Sequence, residues 1–141
     1  MRAETLYRRV GEVASQAPST ATIARLSLGL MVLAAGVHKL LDPGAWAVYV
    51  VDWLAPWLVV SPILFMLLNG YLEVGFGLLL LADRYTAFAS LVAAVSLTVT
   101  VGYLALVFAT QGAFGDVLAR DVGLAGLGWV VFVDSMRSEN G

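Results

Sequence analysis

The 141-residue chain has no cysteine, one histidine (His38) and one lysine (Lys39), and only 13% of its residues are charged. Without thiols it cannot perform thiol–disulfide exchange, hold an iron–sulfur cluster or build a cysteine zinc site. A lone imidazole excludes bis-histidine haem ligation within one chain. It also leaves the serines without a convincing general base, so a serine-hydrolase triad is rejected. The net charge of −2 lacks the basic footprint of a nucleic-acid binder. What the chain has instead is apolar surface, with 60% hydrophobic residues and a mean hydropathy of +0.88. A soluble chain carries roughly 25% charge, and a soluble domain of this size has too little interior to hide so much apolar side chain. Lipid must be the solvent for much of it.

A spanning helix needs about 20 mostly apolar residues. Tyr85 to Thr110 gives 26 residues without a formal charge, and Ser61 to Ala82 is interrupted only by Asn69 and Glu73. Leu26 to Val37 and Val122 to Val133 are uncharged runs of 12 residues each, so those helices must extend over neighbouring charged side chains that reach the interface. The reading is an all-α integral membrane four-helix bundle, with spans near 22–41, 61–82, 85–110 and 117–136. A tail over 1–20 precedes the transmembrane domain at 21–137, and a short tail follows at 138–141.

Arg2, Arg8, Arg9, Arg25, Arg84 and Arg137 fall on one side of that arrangement, against Lys39 and Arg120 on the other. The positive-inside rule then places both termini in the cytoplasm. Leu6, Val10 and Val13 give the first tail an apolar face suited to the inner leaflet. A competing reading makes the N-terminal region a cleavable leader ending at Ala34-Ala35-Gly36. Asp42-Pro43 is a helix-start signal. Trp46, Tyr49, Val50, Trp53 and Trp57 after it predict a short helix along the outer interface, where aromatic rings collect.

Polar groups at membrane depth are the best functional pointers, because burying them without partners costs several kcal/mol. Asn69 and Glu73 share a helix face, with Glu73 about 12 to 18 Å below the outer end of its span. Ser96, Thr100 and Tyr103 form a stripe on the third span, and Arg120 and Asp121 open the fourth. Lys39, Asn69, Glu73, Tyr103, Arg120 and Asp121 are therefore expected around one outward-facing cavity. Three uses stay open: ion pairs such as Lys39 with Asp121 or Arg120 with Glu73 that only fix the helices, a small-molecule or quinone headgroup site, and a proton path through Glu73. Gly70, Gly75 and Gly77 point to close helix packing.

Four places in the sequence carry a resemblance to a known family. They are Arg25-Leu26-Ser27-Leu28-Gly29-Leu30 running on to Gly36-Val37-His38-Lys39-Leu40-Leu41-Asp42-Pro43, Glu73 with Gly75 and Gly77, the turn Asp83-Arg84, and Arg120-Asp121 with Gly123, Leu124 and Gly126. Their order and spacing over roughly residues 22 to 136 resemble the DoxX family of small four-span prokaryotic membrane proteins. The resemblance implies a link to quinone-dependent oxidoreductase complexes, with quinone as the ligand and Lys39, Glu73, Arg120 and Asp121 as headgroup contacts. Nothing in the chain carries electrons by itself, so such a role requires a redox partner protein or a bound cofactor. The rivals are a non-catalytic membrane scaffold, and a small proton-coupled transporter that would have to work as a dimer, the simplest homo-oligomer.

Overall fold

The computed structural model describes residues 2–139, which are helical apart from short connections. In chain order these are α1 (Arg2–Ser15), α2 (Thr20–Leu41), α3 (Pro43–Ala47), a 3₁₀ turn (Ala55–Trp57), α4 (Pro62–Leu81), α5 (Thr86–Gln111) and α6 (Gly115–Glu139). Local chemistry sets most of the boundaries. The Ser19 hydroxyl accepts from the Thr22 amide to start α2, and Ser61 accepts from Leu64 to start α4, with Pro62 at the first helical position. Asp42 serves two helices. Its amide donates to the His38 carbonyl to close α2, and its carboxylate accepts from the Ala45 amide at 3.1 Å to open α3. Gly112, at φ +67°, ends α5 in the left-handed conformation that glycine adopts without penalty.

α2, α4 and α5 are long and apolar enough to cross a membrane. They run within two residues of the first three expected spans. α6 is 25 residues long but carries Asp116, Arg120, Asp121, Asp134, Arg137 and Glu139. Side chains such as Leu30, Tyr71, Val99 and Val130 are more than half exposed on the outer faces of these helices, as hydrocarbon-facing residues would be. The residues 3–15 of α1 are exposed along the whole helix.

The four long helices form a square of two tight pairs. α2 lies along α4 and α5 along α6, while the α2–α6 and α4–α5 seams touch far less. Glycine makes the first pair tight. A Cβ added at Gly77 would lie 2.7 Å from the backbone nitrogen of Leu33, and one at Gly36 would lie 2.7 Å from that of Val74. Only a missing side chain permits such an approach. Gly70 also sits in this contact, whereas Gly75 faces open space, so the packing role expected of the three glycines holds for two. Ala34-Ala35-Gly36, the end of the alternative leader, forms the middle of α2.

The core does not fill the square evenly. Leu28, Val32, Leu80, Ala89, Ala93 and Val131 form one buried cluster. Val32 sits just past the middle of α2, and the other five lie toward the end of the bundle that holds the N-terminus of α2 and the C-terminus of α4. There Arg25 reaches across, its guanidinium donating to the carbonyls of Leu80 at 2.6 Å and Leu81 at 3.1 Å and lying 3.4 Å from the Asp83 carboxylate. Carbonyls at a helix C-terminus lack intrahelical partners, so a cation is the natural cap.

The opposite end is crossed by residues 42–61, and here the structure differs from the sequence reading. Instead of one helix bearing the aromatic stripe, the segment is a strap of α3, successive turns and the 3₁₀ turn. Two causes act together. Pro56 has no amide to donate and disfavours helix in the residue before it. The Tyr103 hydroxyl on α5 accepts from the Val51 amide at 3.1 Å and donates to the Tyr49 carbonyl at 2.5 Å, taking two groups that a continuing helix would pair internally.

Candidate functional site

Where the buried cluster stops, a cavity of about 370 Å³ begins, running from mid-bundle toward the strap. Met31, Val32, Phe76, Val92, Ala93 and Leu97 make its apolar floor, and Lys39, Asn69, Glu73, Thr100, Arg120 and Asp121 line its polar part. The volume falls within the range of about 300 to 1,000 Å³ typical of small-molecule sites.

Five of the six expected site residues, Lys39, Asn69, Glu73, Arg120 and Asp121, are brought together here. Tyr103 is not. Its ring edge meets Trp53 at a centroid distance of 5.8 Å and its hydroxyl is committed to the strap backbone, so it positions the strap rather than donating into the cavity. The expected ion pairs are also exchanged. Lys39 Nζ donates to Glu73 Oε1 at 2.5 Å, and Arg120 Nε donates to Asp121 Oδ1 at 2.9 Å.

The cause of the exchange lies in the glycines. A Cβ at Gly36 would sit 2.9 Å from that of Glu73, and one at Gly70 would sit 3.1 Å from that of Lys39. The two helices touch at backbone distance beside both charged residues, so Lys39 and Glu73 are each other's nearest opposite charge. In this low-dielectric interior the nearest charge dominates. The Lys39 side chain is only 7% exposed. Its ammonium also lies 4.5 Å from the centre of the Trp46 ring, close enough for a cation–π contact. Trp46 is fixed in turn by donating its indole N–H to His38 Nδ1 at 2.7 Å.

Sequence reasoning placed Trp46 only in the interfacial stripe. No helical spacing relates it to Lys39, because the chain reverses at Asp42 between them. The signal that was present is compositional: a buried cation needs a partner, and an indole face close along the chain can supply one.

Several polar groups in the cavity are left available. Glu73 Oε2 is buried with no hydrogen-bond partner among the described residues. The Asn69 amide and the Ser96 hydroxyl line the cavity and make no hydrogen bond among the described residues. Arg120 spends only its Nε on Asp121 and is about half exposed. The chamber thus combines a greasy floor with donors and acceptors that a bound polar head could satisfy.

This is the architecture of a small helical membrane protein with a partly charged internal chamber. The DoxX family model matches residues 20–113, two-thirds of the chain, and the chain belongs to the DoxX family. The match spans α2 through α5 and stops just before α6, so Arg120 and Asp121 lie beyond it. Comparisons with curated proteins and with solved structures return no match.

Proposed function

We propose that the protein is a four-span membrane protein whose cavity binds a small lipophilic molecule with a polar head, of which a quinone is the leading example. In this reading α6 is the fourth span, both termini are cytoplasmic and the strap lies at the outer interface. α6 is roughly 37 Å long at 1.5 Å per residue, enough to cross the hydrocarbon. Its charged residues sit toward its two ends, leaving 122–133 uncharged. The exposed Val48, Trp53, Trp57 and Val59 on the strap suit the headgroup layer. The exposed Leu6, Val10 and Val13 of α1 suit the inner leaflet.

The observation that carries the binding reading is the buried charged pair opening onto an apolar chamber. Helix packing alone gives no use for the unpartnered Glu73 Oε2 or for the uncommitted Asn69 and Ser96 that line the chamber. A quinone ring would rest on Phe76 and Leu97, its carbonyl oxygens accepting from Asn69 or Arg120, while a hydroxyl of the reduced quinol would donate to Glu73 Oε2. Carrying electrons to or from it falls to a partner protein, so the chain acts as the binding subunit of a redox complex. The competing reading, a non-catalytic scaffold, draws on one specific observation: the Lys39–Glu73 pair also clamps α2 to α4.

Mass spectrometry of lipophiles extracted from protein purified in mild detergent separates the two readings. The binding reading expects a stoichiometric quinone or related lipophile in the wild type. It should be lost in Glu73→Gln and in the cavity-filling Ala93→Leu while the helical circular-dichroism signal persists. A well-folded wild type with an empty cavity, in detergent and in lipid nanodiscs alike, refutes it and leaves the scaffold.

A further inference from the structure

We infer that the cavity is loaded sideways from the hydrocarbon of the bilayer, through a portal between α4 and α5 flanked by Leu72 and Ser96. The inference rests on the binding reading and adds the route, and with the route the class of ligand: one already dissolved in the membrane.

Three observations converge on this seam. Leu72 and Ser96 both line the cavity and both are exposed, Leu72 at 61%. A leucine that lines a cavity and still has most of its surface accessible marks a place where the wall is thin. The α4–α5 seam is also one of the two loosely packed sides of the square. The opening has defined limits along the bundle. On the buried-core side Phe76 meets Phe88 across the seam at a ring-centroid distance of 5.9 Å. On the other side Tyr103, seven residues beyond Ser96 on α5, ties down the strap. Between these two aromatic closures the cavity wall includes Leu72, Val92 and Ser96: a leucine with most of its surface exposed, a half-buried valine and a serine too small to fill a gap.

The other exposed residue of the cavity lining is Arg120, paired with Asp121 near the start of α6. An ionic opening near a helix end suits water. An apolar opening at mid-helix suits a lipid-dissolved solute. Side-chain rotation at Leu72 takes only nanoseconds, so the leucine can serve as the moving part of the portal.

Because the chain has no cysteine, the portal can be closed with thiol chemistry against a clean background. The variant is Leu72→Cys with Val95→Cys, the latter an exposed residue beside Ser96 that does not line the cavity. It is placed in nanodiscs, bridged with a short bis-methanethiosulfonate reagent and reopened with dithiothreitol, which is removed before any quinone is added. Vesicles containing duroquinone, whose fully substituted ring offers thiols no vacant position to add to, supply the probe for timed intervals, and retained duroquinone is measured by mass spectrometry. Each single-cysteine variant capped with methyl methanethiosulfonate controls for the added bulk. Bridging should slow loading by about tenfold or more, as association slows when entry requires a change of shape. Reduction should restore loading in the same sample, which excludes misfolding. Protein loaded before bridging should retain its duroquinone. Equal loading of the bridged and reduced forms would overturn the portal and leave the binding reading standing. Failure of both the wild type and the reduced variant to retain duroquinone would remove the binding reading and the portal with it.

Discussion

Removing either partner of the Lys39–Glu73 pair should destabilise the protein far more than removing both. In Glu73→Met the Lys39 ammonium stays buried, with the Trp46 face as its remaining partner at 4.5 Å. A cation–π contact of that kind is worth up to about 2 kcal/mol when desolvated, which offsets only part of the loss. In Lys39→Met the carboxylate loses the one donor it has among the described residues, where Oε2 already lacks a partner. Orphaning a buried charge costs about 3 to 5 kcal/mol, whereas replacing a whole buried pair by apolar side chains of similar volume is close to neutral. Each single variant should therefore lose about 3 kcal/mol or more, with Glu73→Met the milder because of Trp46. The double variant should return to within about 1 to 2 kcal/mol of wild type. The assay is reversible unfolding by SDS titration in mixed micelles, followed by far-ultraviolet circular dichroism. Additive losses in the double variant would refute the argument, since they would mean that the two groups are stabilised by separate surroundings.

Three further expectations follow from the same geometry. Gly36→Ala and Gly77→Ala should each cost about 1 to 3 kcal/mol, because the new methyl meets backbone that cannot yield; Gly75→Ala, which faces open space, should be nearly neutral in the same SDS titration. Tyr103→Phe removes both hydrogen bonds to the strap and should cost about 1 to 3 kcal/mol, with faster proteolysis confined to residues 48–58 as the specific readout. Arg25→Ala strips the cap from the end of α4 and should cost about 2 kcal/mol or more, whereas Arg25→Lys should recover only part of it, since one ammonium cannot reproduce the guanidinium fork.

The helices were legible in the sequence because hydrophobic length, prolines and serine or aspartate caps are local signals. Ser61-Pro62 and Asp42-Pro43 each mark a helix start within the chain itself. That five polar residues would share one cavity was legible for a related reason: a polar side chain inside an apolar run must face something other than lipid, and a bundle of four helices leaves one interior. What could not be read was which polar group meets which. That depends on the separation of α2 and α4, and Gly36 and Gly70 set it by an absence that composition alone does not assign to a partner. Tyr103 failed for the opposite reason. Its helical position was read correctly, but its hydroxyl satisfies backbone groups of a strap whose path no periodicity reveals.

The same glycines explain why a bundle this small has a chamber at all. Pulling α2 onto α4 at backbone distance, with Gly128 doing the like for α6 against Ala94 on α5, concentrates contact within each pair. Little side-chain volume is then left to fill the space between the pairs. At one end Leu28, Leu80 and Val131 supply it, and Arg25 ties the helix ends together. Toward the strap the facing positions are instead Ala35, Ser96 and Thr100, too small to meet across the square, and the chamber is the volume they leave. On this account the cavity follows from pairing helices through glycine, and filling it with Ala35→Leu together with Ser96→Leu should stabilise the empty protein while abolishing ligand retention. A double variant that unfolds more easily in the SDS titration and still retains its lipophile would show that the small side chains are not what holds the space open.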